Sequence, residues 1–368
     1  MTFRRSFLAL VLGVLVTVPA FAQDRIHQKD GVVFPKESST QKIQVTKETY
    51  TVIKYKLESR GVSLDQEMST SKVNYVQYAR KNSDFTEAMD AFNSGGFEDA
   101  LELFTGLAKR KSPHWLKQHS LFRAAECQYA MGDWDAAITG YERLRAEVSD
   151  SRFVPEAQLK IAMCKLNKND VEGARADFGK LKRDVGNKDY DPEYEFRADL
   201  GLIEIDERAG KFSVALSELE KLQAKVGDDY PAVASATRLR IGSVYIQERQ
   251  YKKAENYFKA ILEADSETTD PAVVFGAYIG LGDSYFAQSK FKEALKDCYL
   301  RVVVMDDREG TVPQDVLAKA LFWSARCWDQ LRNEKPEYGK FAYDLYREVM
   351  RRAPGSAIAQ EARKYIRR

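Results

Sequence analysis

The side chains that most often perform catalysis or bind metals are scarce in this chain, which has three histidines among its 368 residues. His114 and His119 are close in sequence, but no further histidine or cysteine lies at the spacing that a zinc site requires. His27 is far from both. The chain contains no phosphate-binding loop, zinc-protease motif or nucleophile-elbow motif. The sequence therefore predicts polar surface histidines, no cofactor, no metal site and no enzymatic activity.

The four cysteines could form disulfide bonds in an oxidising compartment, but their spacing favours another interpretation. Cys127 and Cys164 are 37 residues apart, which is one period of the repeat described below. Cys327 takes the same repeat position if an insertion around residues 333–338 is allowed for. Axes of packed helices lie about 8–10 Å apart, whereas a disulfide needs Cα atoms within about 7 Å. We therefore expect small buried packing residues and free thiols.

Residues 1–22 have the features of an export signal. Arg4 and Arg5 give a positive start, an apolar run follows, and Ala20-Phe21-Ala22 provides small residues for cleavage before Gln23. The apolar run is about 12 residues long, and a membrane-spanning helix needs roughly 20. We expect a periplasmic or secreted protein with no integral membrane segment after the signal is removed.

Two export routes are compatible with this signal. The string from Arg4 to Leu8 is similar to the core of a twin-arginine signal, but the strongly apolar run and the lack of a basic residue before the cleavage site favour the general secretory route. Removing two arginines takes the formal charge from +2 to 0. A mature chain without excess charge has no overall field to attract nucleic acid or an anionic membrane, so we expect no nucleic-acid partner.

Residues 23–80 alternate between polar and apolar side chains with a period of two, which indicates half-buried strands. The clearest runs are residues 42–45, 49–56 and 72–78. This pattern predicts a small all-β, SH3-like module of four or five short strands. A unit of this size has little core of its own, so docking on the rest of the chain would stabilise it.

From residue 84 to residue 368 the spacing becomes helical, and a pattern returns at intervals of 37, 37, 41, 39 and 40 residues. Each unit has an aromatic residue, or Val171, three positions before a small alanine. These pairs are Phe97/Ala100, Trp134/Ala137, Val171/Ala174, Phe212/Ala215, Tyr251/Ala254 and Phe291/Ala294. A small residue lets two antiparallel helices approach closely, and a proline marks the edge of each unit. The pattern predicts helix pairs that must stack on their neighbours to bury their apolar faces.

At these positions the chain resembles the tetratricopeptide repeat family. Ile241-Gly242, Tyr245, Tyr251, Ala254 and Phe258 follow the order of the family pattern. The units are longer than the usual 34 or so residues. The resemblance implies a mainly α fold, a tetratricopeptide-like α-solenoid of about seven helix pairs preceded by the small β module.

The resemblance also implies a protein-binding groove lined by the first helix of each unit. Carried over by the repeat register, its ligand-facing positions are Phe122, Glu126, Tyr129, Met163, Arg197, Glu204, Arg208, Gln247, Asp283, Phe286, Phe322 and Arg326. Aromatic residues mixed with both charge signs suit a peptide held by apolar anchors and polar contacts. An alternative for the phenylalanines is that they pack between helices.

The expected function is a non-enzymatic scaffold or adaptor of the bacterial cell envelope that holds segments of partner proteins in this groove. An alternative is a structural component bound to peptidoglycan, or to an outer-membrane assembly complex, through the β module. The sequence does not identify the partner.

Overall fold

The computed structural model describes residues 23–36, 39–79, 82–110, 113–227, 229–264, 271–306 and 312–366. The predicted export signal, residues 1–22, lies outside the described residues.

The first part is an all-β module of six strands in two antiparallel sheets. One sheet has the order β2-β1-β6, with bounds Val33–Phe34, Arg25–Gln28 and Val73–Gln77. The other has the order β3-β4-β5, with bounds Lys42–Glu48, Val52–Ser59 and Val62–Ser69. Ile26, Ile43 and Ile53 form the centre of a core between the sheets. The predicted β module is confirmed, with six strands where four or five were expected.

The three runs named in the sequence correspond to β3, β4 and β6, and the longest strand outside them is β5. It follows a two-residue hairpin turn in which Arg60 and Gly61 both have positive φ, 52° and 78°, as the favoured hairpin turns require. The side chains of its central residues, Asp65, Gln66 and Glu67, are exposed to solvent. Val62, Leu64 and Met68 alternate with polar residues, but Gln66 interrupts the series and, of the three, Met68 alone packs against the module core, so the period-two pattern is weak.

The described residues from 82 onwards form seven helix pairs and a final helix, which confirms the predicted solenoid. The first helices of the pairs, called A helices, are α1 Ser83–Asn93, α3 His114–Ala130, α5 Val154–Asn167, α7 Glu193–Arg208, α9 Pro231–Gln247, α11 Pro271–Ala287 and α14 Gln314–Leu331. The second or B helices are α2 Phe97–Leu107, α4 Trp134–Glu147, α6 Val171–Lys188, α8 Phe212–Val226, α10 Tyr251–Glu263, the composite α12–α13, and α15 Pro336–Arg352. In the composite helix, α12 Phe291–Glu293 continues through a π-helical segment, Ala294–Tyr299, into α13 Leu300–Met305. Helix α16 is Ala357–Ile366.

The repeating sequence pattern corresponds to a repeating turn. In the first six pairs the A helix ends four positions before the B helix starts, and the aromatic position is the first residue of the B helix. The middle residue of each three-residue connection has positive φ; these residues are Gly95, Gly132, Asn169, Gly210, Arg249 and Ser289. The alanines three positions into the B helices are fully buried. The predicted prolines lie at or next to the starts of the A helices.

The seventh pair has a four-residue connection, residues 332–335, and α15 begins earlier relative to its buried Ala342. The predicted insertion around residues 333–338 therefore takes the form of a slightly longer connection and an additional first helical turn. Tyr338 in that turn packs on Trp328, with ring centroids 4.6 Å apart.

The two ends of the solenoid touch. Pro354, between α15 and α16, lies against the α1–α2 connection, so that a Cβ atom at Gly95 would be 3.1 Å from the proline Cδ. Gly355 also approaches the carbonyl oxygen of Gly95 and the ring of Phe97. The seven pairs therefore complete one turn and bring the last pair back to the first.

Candidate functional site: the A-helix surface and the β-module junction

The charged residues predicted for the groove form ion pairs between successive A helices. Lys160 of α5 lies 3.4 Å from Glu126 of α3. Arg240 of α9 lies 3.1 Å from Glu204 of α7, and Lys319 of α14 lies 3.7 Å from Asp283 of α11. Opposite charges thus join neighbouring units along the surface where the repeat register places ligand contacts.

Arg197 makes the most complete of these pairs. Its Nη1 and Nη2 donate to the two oxygens of Glu156 on α5, at 2.5 and 2.9 Å. Burial alone would lower the pKa of Arg197, but the charge and hydrogen bonds of Glu156 outweigh it and raise the pKa. The guanidinium also lies over the ring of Tyr194, at 5.3 Å. Arg197 therefore stabilises the contact between α5 and α7 as well as facing the groove.

Glu204 and Arg208 belong to a second polar network. Arg208 donates to Glu204 at 2.6 Å, and also to the carbonyl oxygen of Leu166 and to Asn167, each at 2.9 Å. The backbone contact caps the end of α5 with a positive charge, which is favourable at a helix C-terminus.

Tyr129 and Met163 are the half-buried apolar residues of the groove. The ring of Tyr129 packs on Trp134 at 5.3 Å, and the Lys160 ammonium lies 4.3 Å from its centre. Burial raises the pKa of Tyr129 to about 12, so its hydroxyl remains protonated at physiological pH. Met163 lies next to the core of the third pair.

Two of the predicted groove phenylalanines, Phe122 and Phe322, are mostly buried, in agreement with the alternative that they pack between helices. Phe122 is 5% exposed and stacks on Phe153 at 4.5 Å; Phe322 is also 5% exposed and packs against Tyr346. Both fill the space between helices because that burial removes a large apolar ring from water. Phe322 supports the A-helix surface from behind, whereas Phe122 also lines a cavity beside the β module.

The remaining predicted residues lie towards the C-terminal pairs. Phe286 is half-buried against Trp323, and the Arg326 guanidinium lies 4.6 Å from the ring of Tyr365 while donating to its hydroxyl at 2.6 Å. Asp283 accepts a hydrogen bond from Tyr299 at 2.7 Å, and burial raises its pKa despite Lys319. Gln247, at the end of α9, is exposed.

The β module docks on the N-terminal ends of three A helices. Glu48, whose side chain is fully buried, lies 2.9 Å from His119 Nε2 on α3 and 3.0 Å from Arg152 before α5. The Tyr78 hydroxyl donates to the same carboxylate. Farther along, Lys29 pairs with Asp191 at 2.9 Å and with Glu193 at 3.1 Å, at the start of α7.

This junction corrects the prediction for His119, which is mostly buried and ion-paired instead of lying on the surface. Sequence analysis missed Glu48 because its partners are about 70 and 100 positions away. An acidic residue at the end of an alternating run looks like a solvent-facing side chain until the opposing surface is known.

A cavity of about 400 Å³ lies between the module and the A helices. Its module side includes Lys29, Tyr50 and Asn74, and its helix side includes Glu126 and Arg197. The junction therefore encloses the N-terminal part of the predicted groove and brings Glu126 and Arg197 to one site, away from Asp283, Phe286, Phe322 and Arg326.

Other kinds of site are not found in the described part of the chain. Among those residues, no group of three or more histidine, cysteine, aspartate or glutamate side chains could hold a metal ion. Their helices include none that is long and apolar enough to cross a membrane.

Models of the tetratricopeptide repeat match residues 119–151 and 156–187, and a second such model matches residues 239–309. These segments fall on the second, third, fifth and sixth helix pairs. The chain therefore contains tetratricopeptide repeats, whose stacked helix pairs serve as protein-interaction scaffolds.

Solved structures with a similar chain path include a tetratricopeptide repeat protein from Parabacteroides merdae, with 15% identity over 78% of this chain and 100% of that chain and a TM-score of 0.45. A Rap protein complexed with competence and sporulation factor has 16% identity over 78% and 86% of the two chains and a TM-score of 0.47. A thermophilic tetratricopeptide repeat protein from Thermus thermophilus has 25% identity over 58% and 98%, with a TM-score of 0.39. No curated protein matches the chain.

Proposed function

We propose that this protein is a non-enzymatic scaffold of the bacterial cell envelope that holds an extended segment of a partner protein along its A helices. The observation that carries this proposal is the series of half-exposed ion pairs and apolar side chains on consecutive A helices. Such a surface offers hydrogen-bond donors and acceptors of both signs beside Tyr129 and Met163. It suits a peptide of mixed sequence better than an acidic polymer, which would require a wall of basic side chains.

The partner can be identified by photo-crosslinking in the native host. A benzophenone amino acid replaces Gln247, which is exposed at the end of an A helix, and in a matched control it replaces Val214, which is half-exposed on the B helix α8. We expect one partner segment to be recovered from position 247 and to be absent from position 214. Equal labelling at the two positions would contradict binding along the A helices.

The charge dependence is tested by exchanging the members of one ion pair. Simple truncation is unsuitable, because Arg197→Ala would leave the half-buried Glu156 unpaired and cost about 2 kcal/mol of stability. The double variant Glu156→Arg/Arg197→Glu keeps opposite charges together but reverses the pattern seen by a ligand. We expect a loss of affinity for the crosslinked segment with little change in melting temperature.

The control exchange is Glu218→Lys/Lys221→Glu on α8, where an exposed pair lies 2.7 Å apart on a B helix. It should leave the affinity unchanged. If both exchanges leave binding at the wild-type level, the partner does not use the A-helix charges.

Location in the envelope rests on residues 1–22 and has its own test. Expressed in the native host, the protein should be recovered outside the cytoplasm with Gln23 as its first residue, as determined by mass spectrometry of the N-terminal peptide. Recovery of a cytoplasmic chain that retains residues 1–22 would refute export.

A further inference from the structure

Strand β5 is an open edge of the β3-β4-β5 sheet. Within the described residues it pairs with β4 alone, over its full length from Val62 to Ser69. In an antiparallel sheet, alternate residues of an edge strand turn their N–H and C=O groups away from the neighbouring strand. The outer side of β5 therefore presents a row of backbone donors and acceptors.

The two faces of β5 differ in chemistry. Val62 and Leu64 are 57% and 53% exposed, and Leu64 lies directly opposite Leu57 on the face that continues into the module core. On the other face, Asp65 and Glu67 lie opposite Lys56 and Lys54 of β4. A strand added beside β5 would meet an apolar strip on one face and two carboxylates, spaced by two residues, on the other.

We infer that this edge binds an extended partner segment in which apolar side chains alternate with lysine or arginine. The outward-facing backbone N–H and C=O groups of β5 would form main-chain hydrogen bonds with this segment, as in other cases of strand addition. The apolar side chains would cover Val62 and Leu64, and the basic ones would lie beside Asp65 and Glu67. Opposite charges directly across a strand pair are favourable and like charges are unfavourable.

A second copy of this chain fits the edge less well. When β5 pairs antiparallel with itself about residue 66, Asp65 of each copy lies opposite Glu67 of the other, and about residue 65 the two Asp65 side chains lie opposite each other. The pairing is then opposed by like charges at the positions where a basic segment is attracted. This surface is separate from the A-helix groove, so the inference goes beyond the proposed function.

The test uses two acetylated and amidated nonapeptides, one alternating valine with lysine and the other alternating valine with glutamate. Binding to the mature protein is measured by fluorescence anisotropy at low salt. We expect the lysine peptide to bind roughly tenfold more tightly, as two cross-strand charge pairs permit. Equal affinity for the two peptides would overturn the inference.

The decisive variant is Asp65→Lys/Glu67→Lys, which should reverse the preference in favour of the glutamate peptide. Leu64→Ser should weaken the binding of both peptides, and this effect separates the contribution of the apolar strip from that of charge. Circular dichroism and tryptophan fluorescence, to which Trp115 at the module junction contributes, establish that each variant is folded. An unchanged preference in the folded double variant would place binding elsewhere.

Matched controls separate this site from general electrostatics and from the groove. Glu98→Lys/Glu102→Lys on α2 reverses the same number of exposed acids away from the sheet and should keep the wild-type preference. The groove exchange Glu156→Arg/Arg197→Glu should also bind the lysine peptide normally, so a failure of the groove proposal leaves this result intact. If light scattering shows a dimer that Leu64→Ser abolishes, and neither peptide binds, then the edge pairs with a second copy and the inference is refuted.

Discussion

Glu48 is a buried carboxylate whose ionisation is maintained by residues from distant parts of the chain. Burial alone would raise the pKa of Glu48, but the charge and hydrogen bond of His119, together with Arg152 and the Tyr78 hydroxyl, hold it well below its usual value. A carboxyl group with a lowered pKa stabilises the folded state above its unfolded pKa of about 4.3, and this contribution is lost as the pH falls through the folded pKa. The β-module junction should therefore weaken in acid.

We predict that Glu48→Gln lowers the free energy of unfolding by about 2–3 kcal/mol at pH 7, because the buried positive partners lose their counter-charge. The difference from wild type should shrink as the pH falls below about 4. Urea unfolding followed by tryptophan fluorescence at several pH values measures this. Glu58→Gln, at an exposed position on β4, is the control. A difference that does not change with pH would contradict the charge-based explanation.

The four cysteines are buried and free, and Cys127, Cys164 and Cys327 are the fully buried packing residues that their repeat positions predict. Burial raises the pKa of Cys127, Cys164 and Cys298 to about 12. Only the thiolate reacts readily with thiol reagents. We expect almost no reaction in the native protein at pH 8, and four free thiols after denaturation without reductant. A count of two or zero would reveal disulfide bonds.

At the scale of the helix and strand, the sequence predicted the features that follow from local spacing, above all the starts of the B helices. The period from Trp134/Ala137 to Phe291/Ala294 marks B-helix starts because each alanine must fit where helices cross. The β5 strand and the Glu48–His119 contact could not be predicted in this way. The apolar alternation of β5 is interrupted by Gln66, and the Glu48–His119 contact depends on which surfaces meet across the fold.

For the groove, the sequence likewise indicates on which helix a residue lies but not which residues of other helices pack against it. The register placed Glu126, Arg197 and Asp283 on A helices, as the structure has them. It gave no information about Glu156, because a partner on the preceding helix depends on the angle between units. The burial of Phe322 is likewise decided by the C-terminal helix α16, which covers it with Tyr365.

The repeated turn allows a test at one residue. Arg249 has φ of 59°, a conformation that costs most residues about 1–2 kcal/mol and that glycine adopts freely at the same position of other units. We predict that Arg249→Gly stabilises the protein by about 0.5–1 kcal/mol, after allowing for the greater freedom of glycine in the unfolded chain. Arg249→Ala removes the same side chain and keeps the strain, so it should give no such gain in urea unfolding. Equal effects of the two substitutions would assign the gain to loss of the arginine side chain.

At the scale of the whole molecule, the contact of Pro354 with Gly95 joins the two ends of the solenoid. We predict a single short distance between spin labels attached at Glu98→Cys and Gln360→Cys in solution. The native cysteines should remain unlabelled because they are buried. A label pair at Glu98→Cys and Glu218→Cys, both on B helices, serves as the reference for a distance that does not depend on end contact. A broad or long distribution for the first pair would show that the ends separate.

This contact also determines how a partner could reach the A helices. An open solenoid can be entered from its side or from either end, and contact between its two ends narrows the side opening. The β module stands on the rim where α3, α5 and α7 begin, held there by Glu48 and Lys29. The opposite rim carries the three-residue turns with Gly132, Asn169 and Gly210. The module therefore narrows the approach to α3, α5 and α7 from the rim where these helices begin, so a partner segment would reach them more readily from the turn side.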